Sequence, residues 1–507
     1  MPQNDTISLL LIDKEADMKV ALIEPGAPGY HVFKKFVLPR LGLPILGAIL
    51  KNLGHEVRIF CEDLAKIDWD FIGQADLIGI STITCTAERA YDIAKRVKKD
   101  WPNKPVVMGG AHVTFLAEEA LDNGADIVVR KEGEQTIIEI VAWLENKIEL
   151  PEIKGISYKV AGKVIDNPDR EQDKDVFDHI PFPALELIEG YRKMRAIPIQ
   201  TSRGCQYKCE FCSVTPMFGR NLRCAGTEAI IFETERLVRL MPRRPIFYYD
   251  DNFVSQPNRT KEILRGLIEL RKKLGVKFSW SAQVTVKAAK DDELMKLFKD
   301  AGCNQVFVGF ESINPKTLEE WHKSQNVDEI RRCIKAFHQF GIAVHGMFVL
   351  GSDNDDLNTV KETVKFAIEM KIDTVMFSIL TPLPGTAIYE KLDREGRLLS
   401  KSWRYYDSHH AVFEPKLISA WQLQKAVMLG AMPRFYSWGR VIKRALASLL
   451  PPYSSKKQGF RNFLLTIYGH ITLRKFRKEK GEQRFLRWLK SLPAKLKRKK
   501  DQQIEIS

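Results

Sequence analysis

Three cysteines, Cys205, Cys209 and Cys212, stand in a C-x-x-x-C-x-x-C frame within the stretch TSRGCQYKCEFCSV at 201–214. Thiolates at this spacing suit soft metals and iron–sulfur clusters. Structural zinc takes four tetrahedral ligands, so three thiols leave one position open. A 4Fe–4S cluster held by three cysteines keeps one iron free for a small-molecule ligand, which makes the frame a place for chemistry. Two other readings stand beside this one: zinc completed by a distant Cys or His, and cysteines that neighbour one another by coincidence. The other five, Cys61, Cys85, Cys224, Cys303 and Cys333, lie in or beside apolar or helical runs and read as small buried hydrophobes.

The elements that must position the frame alternate strand and helix. Residues 18–150 contain MKVALIEP, HEVRIF, ADLIGISTIT, KPVVMGG and ADIVVR as strand candidates, with LPILGAILKNLG, AERAYDIAKRVKKDW, TFLAEEALDNG and EQTIIEIVAWLE as helices between them. Buried apolar runs bounded by glycine predict a doubly wound parallel sheet, with ligands at the carboxyl ends of its strands. Residues 151–195 read as an irregular linker rich in Pro, Asp and Lys. Alternation restarts over 196–414 with AIPIQTS, PIFYYD, FSWSAQV, QVFVGFE, AVHGMFVLG and TVMFSILTP, six strands where a closed barrel needs about eight, so an open partial (β/α)6 barrel is expected. The cysteines follow its first strand, at the end where barrel sites are built. Residues 415–507 read as a basic helical region.

Composition bounds the rest. The 507 residues are 44% hydrophobic and 28% charged, ordinary for a globular protein of two or three domains. Eight cysteines are too sparse for a disulfide scaffold, and no N-terminal signal pattern is visible, so a cytoplasmic protein is expected. The longest apolar run, LGLPILGAIL at 41–50, is about half of a bilayer span. The net charge of +15 is concentrated in the tail: residues 441–507 hold 18 Lys and Arg against 4 Asp and Glu.

The cysteine frame, with Phe211 before its last cysteine and TSRG before its first, resembles the radical S-adenosylmethionine superfamily. There the free iron chelates S-adenosylmethionine, and one-electron reduction yields a 5′-deoxyadenosyl radical that abstracts hydrogen from an unactivated C–H bond. The resemblance implies that Cys205, Cys209 and Cys212 hold the cluster. It implies an external reductant of the flavodoxin or ferredoxin type. It assigns Asp250 and Asp251 of YYDDNF and Glu311 of GFES to contacts with S-adenosylmethionine, although Asp-Asp-Asn is also a common helix cap.

A doubly wound domain ahead of such a barrel resembles the cobalamin-binding subclass, which includes radical C-methylases and anaerobic tetrapyrrole and lipid cyclases. The resemblance covers roughly residues 18–415 and rests on ISTITCT, GGAHVT and RKEGEQT. It implies that Ser81, Thr82, Thr84, Gly109, Gly110, His112, Gly133 and Glu134 line the corrin and its nucleotide tail. Small and hydroxylated residues let backbone approach a large flat ligand. Two departures stand out: the D-x-H-x-x-G run that supplies a lower cobalt ligand is missing, and Lys131 occupies a position where the family often has glycine. His112 reads as a packing or hydrogen-bonding histidine before a cobalt ligand.

The expected function is cobalamin-dependent C-methylation of an unactivated carbon in a hydrophobic substrate, lipid-like or tetrapyrrole. Radical ring closure or carbon–carbon bond formation on such a substrate is the alternative, ahead of an RNA-modifying enzyme or a non-catalytic corrinoid or metal carrier. Lys and Arg interleaved with Phe, Leu and Trp in the tail give an amphipathic pattern for the inner face of a membrane, with a solvated helix as the plain reading and nucleic acid as the weakest.

Overall fold

A computed structural model describes residues 17–27, 37–440 and 481–492, with isolated positions between 442 and 471. Two sheets organise it. The first has seven strands: β1 (Lys19–Glu24), β2 (Glu56–Cys61), β3 (Leu77–Ser81), β4 (Val106–Gly109), β5 (Ile127–Val129), β6 (Ile156–Val160) and β7 (Lys163–Asp166). Their order is β2-β1-β3-β4-β5-β6-β7, parallel through β5. Both faces of β1 are buried, Val20 and Leu22 toward one core and Ala21 and Ile23 toward the other, as a two-residue period demands of a doubly covered sheet.

The expected linker is corrected here. β6 and β7 lie within 151–195 and extend the first sheet as an antiparallel hairpin. Its turn, Ala161–Gly162, has positive φ at both residues (49° and 81°), the geometry a two-residue hairpin needs. Lys163–Asp166 is short and mostly exposed, with a polar residue at each end of Val164–Ile165, so it forms no apolar run of the kind that marks the other strands.

The second sheet is fully parallel: β8 (Ile197–Ile199), β11 (Ile246–Tyr248), β12 (Trp280–Val284), β13 (Cys303–Glu311), β14 (Ala343–Leu350) and β15 (Thr374–Ile379), with β8 and β15 at its edges. It is an open six-stranded barrel. A small antiparallel ribbon, β9 (Ser202–Arg203) with β10 (Arg223–Cys224), stands beyond β8.

One core runs through both halves, joining Leu22, Leu43 and Val107 of the first to Ile197, Ile199 and Phe348 of the second. The segment after the barrel returns to the first domain, where Trp403, Tyr406 and Val412 enter the core on the sheet's far side. Ser402 and Arg404 bind Glu88, and the Trp403 indole donates to Glu119 at 2.6 Å. Within the basic tail, the helical stretch 481–492 turns Glu482, Phe485 and Leu489 inward and leaves Arg484, Arg487 and Lys490 exposed. Glu482 accepts from His410, which also pairs with Asp407. Burial opposes charge on that imidazole, but the two carboxylates outweigh it and lift its pKa to about 10. Most of the remaining tail lies outside the described residues. Among the described residues no helix is long and apolar enough to cross a membrane.

Candidate active site

The cysteines occupy the loop between β9 and β10. Gly204 enters it at φ +88°, and a Cβ there would collide with the carbonyl oxygen of Asn221. The loop is fastened by Cys205 N–H donating to Gly219 O at 3.3 Å, Cys212 N–H to Cys209 O at 3.1 Å and Thr215 Oγ1 to Tyr207 O at 3.1 Å. Burial raises the pKa of all three thiols, Cys212 to about 12, so a metal bound here would have to stabilise the thiolates and its loading would release protons. Among the described residues no three His, Cys, Asp or Glu side chains close around a single metal ion. What fits a multi-iron cluster with one open iron is the donor set itself, three thiols within one short loop.

The adjacent aspartates at the end of β11 do different work. Asp250 is fully buried; its Oδ1 accepts from Thr201 N–H (3.0 Å), Thr201 Oγ1 (3.1 Å) and Ser202 Oγ (2.6 Å). It braces the strand that leads into the cysteine loop, and its Oδ2 finds no partner among the described residues. Asp251 faces the open space next door, with its pKa lifted to about 7 by its low-polarity surroundings and then by Asp250.

Glu311 ends β13 in a left-handed conformation, φ 58°, where the strand's register to β14 shifts. Its carboxylate folds back over Gly309, where a Cβ would collide with it, and binds Lys323 Nζ at 2.8 Å. Burial works against the Lys323 charge, but Glu311 and the neighbouring Cys209 and Cys212 hold it protonated. A half-buried cation therefore stands near the thiols, where it would offset the negative charge of a cluster held by three thiolates.

The carboxyl ends of both sheets open onto one cavity of about 400 Å³. The first sheet gives it Ser81 and Thr82 at the end of β3, Gly109 and Gly110 at the end of β4, and Gly133 and Glu134 after β5. The second half gives it Arg203, Ser213, Met217, Phe218, Tyr249 and Asp251. Gly110 has φ +103°, and a Cβ on it would strike the Thr82 backbone, so this cradle accepts only glycine without shifting. Bare backbone at a broad cavity fits a large planar ligand such as a corrin.

Thr84 and His112 do not line the cavity. Thr84 is buried in the short turn Thr84–Thr86. His112 is fully buried between Tyr91 and Trp403 (ring centroids 6.2 and 5.0 Å), with Glu119 3.8 Å from Nε2. The expectation of a corrin contact from His112 is corrected: its ring points into the far core, because the short helix Ala111–Phe115 turns it away. None of the described residues lining the cavity is a histidine. Lys131, at the glycine position, indeed has φ 61° and is steadied by Thr114 Oγ1, which accepts its N–H at 2.9 Å, and by Asp169. Lys323, Glu132 and Arg203 escaped the sequence reading as site residues, although Glu132 and Arg203 sit inside motifs it singled out.

Comparison with known proteins bears on this geometry. A family model for the B12 binding domain matches residues 34–141, and one for the radical SAM superfamily matches 199–367. An uncharacterized methyltransferase of Pyrococcus horikoshii is 33% identical over 465 residues, covering 86% of this chain and 99% of that protein. The chain belongs to the B12-binding radical S-adenosylmethionine family. Hopanoid C-2 methylase of Rhodopseudomonas palustris is 26% identical over 428 residues, 84% of this chain and 77% of that one. The solved cobalamin-dependent radical enzyme OxsB, with aqua-cobalamin and S-adenosylmethionine bound, shares the fold at a TM-score of 0.67 and 18% identity, over 92% of this chain and 74% of that one. This B12-binding radical protein is thus an enzyme of the methyltransferase class, whose cofactors are a 4Fe–4S cluster, S-adenosylmethionine and cobalamin.

Proposed function

We propose that the enzyme methylates an unactivated carbon of a hydrophobic substrate, lipid-like or tetrapyrrole, in the cavity between its two sheets. The observation that carries this reading is the shared cavity, where glycine-rich loops of the B12-binding half face the loop that follows the cysteines. A lipid methylase among the relatives supports the substrate class. Cys205, Cys209 and Cys212 hold the cluster; Asp251 and Glu311 meet S-adenosylmethionine, with Asp250 bracing from behind. Ser81, Thr82, Gly109, Gly110, Gly133 and Glu134 lie against the corrin, and Thr84 supports them without contact. When bound, the cluster and S-adenosylmethionine supply radical chemistry and cobalamin supplies a transferable methyl group. The chain's own part is positional: Lys323 balances charge at the thiols, Asp250 fixes the loop's entry strand, and apolar walls exclude water from a reactive intermediate. Electrons come from a flavodoxin- or ferredoxin-type partner.

Protein made without oxygen in cobalamin-supplied cells should carry about four irons and one corrinoid per chain. Cys209→Ala should lose the iron and the release of 5′-deoxyadenosine under reduction while still binding corrinoid, though more weakly. Product mass then separates the reactions, since methylation adds a methylene and ring closure removes hydrogen. Iron without corrinoid would remove methyl transfer from cobalamin.

The same reading places the enzyme at an anionic membrane surface. Trp438, Ile442, Leu464 and Ile471 are exposed large apolar residues in the strongly basic region, and the Trp438 ring lies tilted against His470, centroids 4.8 Å apart. The helical stretch 481–492 is not part of that face, because its apolar side is committed to the protein. Co-flotation with anionic but not neutral vesicles, weakened by salt, is the expected result.

A further inference from the structure

The loop on the corrin side and the loop that carries the cysteines are joined by a buried ion network. Glu132 accepts from Arg203 Nη1 at 3.1 Å and from Arg223 Nη1 at 2.6 Å, and Glu134 pairs with Arg203 Nη2 at 2.6 Å. The arginine side chains are only 5% and 3% exposed and the carboxylates 14%. Arg203 lies on β9, two residues before Cys205, and Arg223 lies on β10, where the chain leaves the cysteine loop. Both ends of that loop are therefore tied to one carboxylate. On the other side, Glu132 and Glu134 flank Gly133, which lines the cavity and begins the helix Glu134–Leu144.

We infer that this Arg203–Arg223–Glu132–Glu134 network couples the two cofactor loops, so that ordering the cysteine loop around its cluster strengthens corrinoid binding across the domain boundary. Their role in the coupling is positional, while Glu132, Glu134 and Arg203 also line the cavity. Neither loop can shift alone without leaving a buried charge unpaired, which makes the pair of loops move between ordered states together. Coupling of this kind is reciprocal, so each cofactor tightens the binding of the other by the same factor.

The inference rests on the corrinoid reading and is tested on the full-length chain with hydroxocobalamin as probe. Its dissociation constant is measured by visible absorbance on cluster-loaded protein and on the same protein stripped of iron. Wild type should bind about tenfold more tightly when cluster-loaded, within the usual range for coupled sites. In Glu132→Gln the ratio should fall to about one while iron content and cluster spectrum stay unchanged. If Glu132→Gln does not fold, Arg203→Lys serves instead, and its ratio should fall partway because the charge remains but one arm of the fork is lost. A ratio of one in wild type, or a wild-type ratio surviving in the variant, overturns the coupling. No binding of hydroxocobalamin by wild type in either state overturns the corrinoid reading itself, and the coupling with it.

Discussion

The two sheets present their carboxyl ends to one cavity with opposite chemistry. The first offers backbone: Gly109, Gly110 and Gly133, with the small hydroxyls of Ser81 and Thr82. The second surrounds its end with ionisable side chains: three thiols, Asp251, and the Glu311–Lys323 pair. On the proposed reading, the difference follows the ligands. A broad planar group needs surface and close approach, which side chains obstruct. A compact cluster needs directed donors and balanced charge. Damage on the two sides should therefore differ in kind as well as in size.

The largest effect is expected on the cluster side. Lys323→Met leaves Glu311 as a buried carboxylate without its cation and should cost about 3 kcal/mol of stability. It should also shift the cluster to a more negative reduction potential, since a neighbouring positive charge is lost; thermal unfolding and potentiometric EPR measure the two. Retention of the wild-type potential would show that Lys323 serves Glu311 alone.

On the corrin side the damage should be local and steric. Gly110→Ala meets the Thr82 backbone at a positive φ, which should cost about 2 kcal/mol and most corrinoid retention. Iron content should change little, because the coupling weakens a tightly held cluster by only about tenfold. Loss of iron together with corrinoid would instead mean that the halves do not fail separately.

The smallest effect concerns Lys131. Its left-handed backbone favours glycine, while its ammonium pairs with Asp169 at 2.8 Å, a largely exposed partner. Lys131→Gly removes both strain and pair, so stability should rise by no more than about 1 kcal/mol. A clear loss would show the ion pair to outweigh the strain.

Much of this was legible in the sequence. The cysteine frame, the glycines at the end of β4 and after β5, and the strand alternation are local or periodic signals; the alternation returns as the two sheets, and the glycines line the cavity between them. The hairpin of β6 and β7 left a weaker trace, Ala-Gly between alternating residues, which the polar surroundings masked. Asp250 and Asp251 looked equivalent, yet adjacent residues at a strand end face opposite ways, one into the core and one into the cavity. His112 sat in a site motif but was carried by a short helix into packing. The amphipathic pattern of 481–492 suits a membrane surface by sequence, yet its apolar side is satisfied by Tyr405, His410 and the barrel's trailing segment.

By itself, then, the sequence determined the donor types, their spacing and the two α/β halves, because ligand sets within one loop and strand periodicity are short-range properties of a chain. Only the tertiary structure decided that the two halves share one cavity, which aspartate faces it, and that Glu132 meets Arg203 across 71 positions. Those are long-range outcomes: burial forces charges to find partners wherever the packed core leaves them, and no local pattern encodes which partner that is.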